Sequence, residues 1–152
     1  MEASNNYLVM VILSLVSGAL IPVQATSNTA LNKAVGNPVI STFIVLLVAI
    51  ISISIYMVIS KASLPEISNL RTSPIYGYFG GIIITFYILV ITFITPRLGV
   101  GAAIGLIITG QIIGAVIIDH FGLFGTAVRA IDMQRLVGTL FMNVGIYFVM
   151  KK

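Results

Sequence analysis

Five long apolar runs separated by short polar stretches organise the chain. They are about Tyr7 to Ala30, Val39 to Ser60, Ile75 to Thr95, Leu98 to Ile118 and Arg135 to Met150. A membrane-crossing helix needs roughly 20 mostly apolar residues. The first four runs reach that length and the last is the shortest. The breaks carry turn chemistry. Asn32-Lys33 and Gly36-Asn37-Pro38 predict a turn after the first run, and Lys61 to Pro74 predicts a polar loop holding Pro65, Glu66, Asn69 and Arg71. At Thr95-Pro96-Arg97 the proline is expected to stop one helix and start the next. Asp119-His120-Phe121-Gly122 ends the fourth run. Leu123 to Asp132 reads as a short, mildly amphipathic interfacial segment, and Lys151-Lys152 as a headgroup anchor.

These runs must be helices. Unpaired backbone groups in hydrocarbon cost several kcal/mol each, so only helices or a closed barrel can span. A barrel would show alternating strands of about 10 residues, whereas these runs are unbroken. No repeat of 20–50 residues and no low-complexity segment is present. The pattern predicts an all-α membrane protein with five transmembrane helices in a single transmembrane domain over residues 1–152. The first run follows Met1-Glu2-Ala3-Ser4-Asn5-Asn6, which lacks the basic residues of a signal peptide, so it is expected to be retained.

Composition sharpens the class. The chain is 59% hydrophobic and 8% charged, against about a quarter charged in soluble domains, so lipid must act as its solvent. Mean hydropathy is +1.14. With no cysteine, disulfides, thiol chemistry and Cys-based metal sites are excluded, and one histidine excludes a His cluster. No cofactor or metal is expected. The eight basic residues are scattered singly at helix ends and form no patch for nucleic acid. No nucleophile–base–orienter set is visible, so catalysis is not expected.

Charge also bears on orientation. Lys61, Arg71, Arg129 and Arg135 fall on the N-terminal side; Lys33, Arg97, Lys151 and Lys152 fall on the other. The positive-inside rule therefore gives no clear direction. Either one early charge, Lys33 or Lys61, decides, or copies insert both ways and pair antiparallel. Inverted repeats are a common way to build transporters.

Two helices carry polar stripes. On the first, Ser14, Ser17, Gly18, Ile21, Gln24, Ala25, Asn28 and Asn32 fall within an arc of about 120°. Such a stripe should face protein or a water-filled cavity. Pro22 beside it frees a carbonyl near Gly18 that could serve a ligand. On the fourth, Arg97, Gly101, Ile104, Ile108, Gln111, Ala115 and Asp119 share a face, with Gln111 near mid-membrane. Each stripe reads either as packing surface or as site lining. The expected substrate-lining set is Ser17, Pro22, Gln24, Asn28 and Gln111, near the midplane between the first and fourth spans. Arg97, Asp119 and His120 are candidates for coupling or gating, or else interfacial anchors. The pairs Gly77-x-x-x-Gly81, Gly101-x-x-x-Gly105 and Gly110-x-x-x-Gly114 read as helix-packing devices.

Taken together, certain residues resemble a known family. These are Gly18-x-x-x-Pro22-x-Gln24-x-x-x-Asn28-x-x-Leu31, Gly80-Gly81, Thr95-Pro96-Arg97-Leu98-Gly99, Gly110-Gln111, Asp119-His120-Phe121-Gly122-Leu123-Phe124-Gly125, Arg135 and Gly138. The set resembles the YdcZ-type five-helix branch of the EamA-like drug/metabolite transporter superfamily, over nearly the whole chain. The resemblance implies half of a ten-helix inverted-repeat architecture in a bacterial inner membrane, completed by a second copy or an oppositely oriented paralogue. The chain lacks the first-helix membrane Glu of the four-helix multidrug relatives, which argues against drug–proton antiport by that route. The expected function is secondary transport of small polar or amphiphilic molecules by an antiparallel dimer in the lipid bilayer. A non-transporting membrane subunit and a passive channel are the alternatives.

Overall fold

The computed structural model describes residues 2–151, with side chains from Asn6 onward; Lys152 of the expected anchor lies outside the described residues. Six α-helices follow in order: α1 (Glu2–Val35), α2 (Pro38–Ile59), α3 (Ile67–Thr72), α4 (Phe79–Leu98), α5 (Val100–Phe121) and α6 (Met133–Met150). Short 3₁₀ turns precede α4 (Ile75–Tyr78) and follow α5 (Leu123–Gly125). No strand occurs among the described residues. Five segments are long and apolar enough to cross a bilayer: Asn6–Val35, Pro38–Ile59, Ile75–Leu98, Val100–Phe121 and Met133–Met150. The all-α membrane class is therefore met.

Helix ends are set by local chemistry, and two differ from expectation. α1 does not stop at Ala30 or turn at Asn32-Lys33. It runs to Val35 and is closed by Gly36, whose φ of 75° suits a residue without Cβ and whose N–H donates to the Asn32 carbonyl at 2.8 Å. Lys33 lies in the last turn, where a cation faces the negative end of the helix dipole. The Asn37 Oδ1 then accepts from the Val39 and Ile40 N–H groups at 2.9 and 3.2 Å, with Pro38 at the first helical position of α2. This makes α1 and α2 a tight hairpin, and the two pack together.

Pro96 likewise does not end its helix. It sits inside α4, which continues to Leu98, and the break falls at Gly99 with φ of 84°. In place of a proline stop, the break falls on a glycine of positive φ. The interfacial segment after α5 is a 3₁₀ turn followed by extended chain, with no α-helix between Gly122 and Asp132.

The chain divides into two compact units, Met1–Pro96 and Arg97–Lys152. The first unit holds α1 to α3 and α4 as far as Pro96. Its buried residues gather in the C-terminal part of α1 (Ala25, Asn28), the start of α2 (Ser41, Thr42) and the second half of α4 (Ile88, Ile91, Thr92, Thr95). The C-terminal half of α2 is exposed throughout, as a lipid-facing helix should be. The second unit holds α5 packed on α6. A Cβ built on Gly105 would stand 2.8 Å from the Ile146 Cγ2, so this glycine is what admits the close approach.

Candidate functional site

Two kinds of polar arrangement stand out, one in each unit. In the first unit, the expected α1 stripe divides along its length. Ser17 and Gly18 are exposed, Pro22 and Gln24 are half-buried, and Asn28 is 4% exposed. α1 runs continuously through Pro22, so the helix is not broken there. The inner part of the stripe ends on unsatisfied groups. The Asn28 Nδ2 and Asn32 Oδ1 are buried with no partner in the chain.

Three threonines, on α2 and α4, are in the same state. The Thr42, Thr92 and Thr95 hydroxyls are buried without a partner. Other helical hydroxyls behave differently. Ser14, Ser52, Ser54, Thr85 and Thr109 each donate to the carbonyl four residues back, at 2.7–3.0 Å. Thr42, Thr92 and Thr95 do not make that bond. A buried polar group left unpaired costs about 1–3 kcal/mol, a cost that a partner outside the chain would relieve. Pro96, lacking an N–H, also leaves the Thr92 carbonyl without its usual helical donor.

All these groups fall at one end of the unit. α1 crosses, α2 returns and α4 crosses in the direction of α1, so the ends at Val35, Pro38 and Leu98 share one membrane face. At 1.5 Å per residue, Asn28 and Thr92 lie only about 10 Å below it. The three threonines were not singled out by the sequence reading, although Ile88, Ile91, Thr92 and Thr95 repeat at the spacing of one buried helix face.

In the second unit the polar groups around the α5–α6 loop are paired. The Arg135 guanidinium meets the Asp119 carboxylate at 2.6 Å, both about a third exposed, and donates to the Arg129 carbonyl at 2.9 Å. The Arg129 N–H in turn donates to the Asp119 carbonyl at 2.8 Å. The His120 Nδ1 accepts from the Ile131 N–H at 3.1 Å, and its ring meets Phe121 edge-on. Asp132 caps α6 by accepting from the Arg135 N–H at 2.7 Å. The loop turns on Gly122, where φ is 58° and a Cβ would stand 2.7 Å from the Val128 Cγ2. Asp119 and His120 thus fasten the α5–α6 loop. Arg135, read from sequence as a topology charge, is the hub of that fastening.

The Asn143 Oδ1 on α6 is buried with no partner in the chain, and Gln111 stands apart as well. It is exposed, near the middle of α5, beside Gly110 and Gly114, around which a Cβ would meet nothing within 4 Å. Arg97 lies in the last turn of α4 and is also exposed. The expected lining residues therefore fall in both units: Ser17, Pro22, Gln24 and Asn28 in the first, Gln111 in the second. No group of three or more His, Cys, Asp or Glu side chains able to hold a metal occurs among the described residues.

The family described as "Putative inner membrane exporter, YdcZ" matches residues 9–148. No curated protein and no solved structure matches the chain.

Proposed function

The chain belongs to the YdcZ family of inner membrane exporters, and from that premise we propose that it is a secondary transporter of small polar or amphiphilic molecules, working as an antiparallel dimer by alternating access. The chain is an integral inner-membrane protein with five spanning helices. The observation that carries the finer reading is Gln111. An amide carries two donors and an acceptor, and hydrocarbon satisfies none of them. Exposed at mid-span between two glycines that leave room for a neighbour, it supports a surface covered by a second copy and a cavity between the copies. In this reading two five-helix chains of opposite orientation make up a ten-helix transporter. The four-to-four division of basic residues is compatible with insertion both ways. Gln24, Asn28 and Gln111 bind substrate near the midplane, with Ser17 and Pro22 beside them and Arg97 at the mouth.

Flux into proteoliposomes tests this against a scaffold or a channel. Saturable, substrate-dependent uptake is expected from a metabolite panel. Gln111→Leu preserves size and membrane insertion while removing both polar groups, and should abolish uptake with the dimer intact. Normal uptake by folded Gln111→Leu and Gln24→Leu variants would overturn the site. Uptake that never saturates would make the protein a channel. Reporter fusions at the C-terminus should show both orientations; one fixed orientation would rule out an antiparallel homodimer.

A further inference from the structure

We propose that the base of the α1–α2 hairpin binds one neutral hydroxyl group, that of a water or of a small solute, between Asn28 and Asn32 of α1 and Thr42 of α2. For the solute this rests on the transport reading, in which Asn28 binds substrate; Asn32, Thr42 and the hydroxyl chemistry are added to it.

The three side chains share one seam. α1 and α2 are joined by the two-residue turn at Gly36-Asn37 and pack on each other. No other described helix brings its backbone as close to α1. Ala25, Asn28, Asn32 and Val35 recur every three or four residues along α1, the spacing of a helix–helix contact, and all four are buried or half-buried. Pro38, Thr42 and Val45 do the same on α2. At 1.5 Å per residue, Asn32 and Asn28 stand about 5 and 10 Å below Val35, and Thr42 about 6 Å below Pro38, so Thr42 falls at a level between the two asparagines.

Each of the three ends on a buried atom without a partner in the chain: the Asn28 Nδ2, the Asn32 Oδ1 and the Thr42 Oγ1. Asn28 and Thr42 are both 4% exposed, so bulk water does not complete them. Neighbouring hydroxyls of the same hairpin are satisfied by their own helix. Thr29 donates to the Ala25 carbonyl at 2.8 Å and Ser41 to the Asn37 carbonyl at 2.9 Å. Thr42 forgoes that bond.

Complementarity selects the ligand. The Asn28 Nδ2 needs an acceptor, the Asn32 Oδ1 needs a donor, and the Thr42 hydroxyl takes either role. A cation would face the Asn28 N–H groups with no carboxylate to offset its charge, since Lys33 is the single charged residue between Asn6 and Ile59. An anion would face the Asn32 oxygen with nothing to donate to it. A hydroxyl both accepts and donates, and a buried water commonly makes about three such bonds.

Solution NMR of the full chain in detergent micelles tests this through the Asn28 side-chain amide. A rotating-frame Overhauser cross-peak from that amide to water, opposite in sign to proton exchange, is expected. Thr42→Val should weaken it about tenfold, the effect of losing one of the ligand's hydrogen bonds, while Thr42→Ser should retain it. Asn32→Leu serves if Thr42→Val fails to give a dispersed amide spectrum. Added glycerol separates the sources. Cross-peaks to the glycerol methylene protons in place of the water peak assign the site to a solute hydroxyl, and a water peak that glycerol leaves unchanged assigns it to water. No cross-peak to either, in a protein with a dispersed spectrum, overturns the site. A water peak that survives both Thr42→Val and Asn32→Leu at full strength shows that the three groups share no ligand and overturns it too. An Asn28 amide that shifts with sodium chloride and shows no cross-peak to water or glycerol makes the occupant an ion and overturns the hydroxyl assignment. The measurement requires no transport, so its failure and failure of the Gln111 flux prediction remain distinct.

Discussion

The two units differ in how far their polar side chains are paired. In the second, Asp119, His120, Thr126, Asp132 and Arg135 are tied into one loop by named bonds of 2.6–3.1 Å. In the first, Asn28, Asn32, Thr42, Thr92 and Thr95 have buried polar atoms without a partner, as Asn143 does in the second. The charged groups that looked mechanistic from their chemistry hold a loop together. Asn28, read from sequence as site lining, and three threonines that the sequence did not single out are the ones left wanting. In a membrane protein the state of pairing is thus the more useful guide to a site than the charge of the residue, because a satisfied group has already used the bonds it could give a ligand.

The largest effect expected from disturbing this contrast is on the second unit. Gly105→Leu places a branched side chain where even a Cβ stands 2.8 Å from Ile146. It should destabilise the α5–α6 pair by about 3 kcal/mol, seen as a large fall in the thermal unfolding temperature of the detergent-solubilised protein. A change near zero would mean that α5 and α6 do not pack through Gly105. A smaller loss, about 1 kcal/mol, is expected for Arg135→Ala. That variant removes the ion pair and the bond to the Arg129 carbonyl, and the half-exposed setting screens the charge. Asp119→Asn should lose less, because the amide still accepts one hydrogen bond. If Arg135→Ala unfolded normally while transport ceased, Asp119 and Arg135 would belong to the mechanism and the contrast would fail.

Much of the architecture was legible in the order of apolar and polar residues. Val39 to Ser60 and Pro38–Ile59 are nearly the same segment, because an apolar run of spanning length has few alternatives in lipid. The ends of α1 and α4 were less legible. Asn32-Lys33 looks like a turn, yet a polar helix end in the headgroup region needs no break, and the positive φ at Gly36 decides where the reversal occurs. Pro96 looks like a stop, but a proline near a helix end loses one bond and the chain goes on to Gly99. The α1 stripe pointed correctly to Asn28 as a residue turned inward. The α4 threonines were not recognised, since a helix rich in isoleucine and phenylalanine hides a two-threonine face unless Ile88, Ile91, Thr92 and Thr95 are read together. The pairing of Asp119 with Arg135 was also beyond reach, because it joins residues across a loop whose path depends on the left-handed turn at Gly122.

The smallest effect is the most direct test of the contrast, because it has the opposite sign. Thr92→Val keeps the shape of the side chain and removes the hydroxyl. Where a hydroxyl is hydrogen-bonded, that exchange breaks a bond and destabilises by about 1 kcal/mol. Where it is buried and unpaired, the exchange removes a desolvated group and should stabilise the protein by a similar amount. Thr92 is fully buried and its hydroxyl has no partner in the chain, so a gain of about 1 kcal/mol is expected, read as a rise in unfolding temperature. Thr109→Val is the internal reference: its hydroxyl donates to the Gly105 carbonyl at 3.0 Å, so it should show no such gain. Transport should move against stability. The Thr92→Val protein should be the more stable and the less active, as expected where a site holds groups in readiness for a ligand. If Thr92→Val is as destabilising as Arg135→Ala, the hydroxyl is already satisfied in the resting protein. The first unit would then be held by paired polar groups just as the second is.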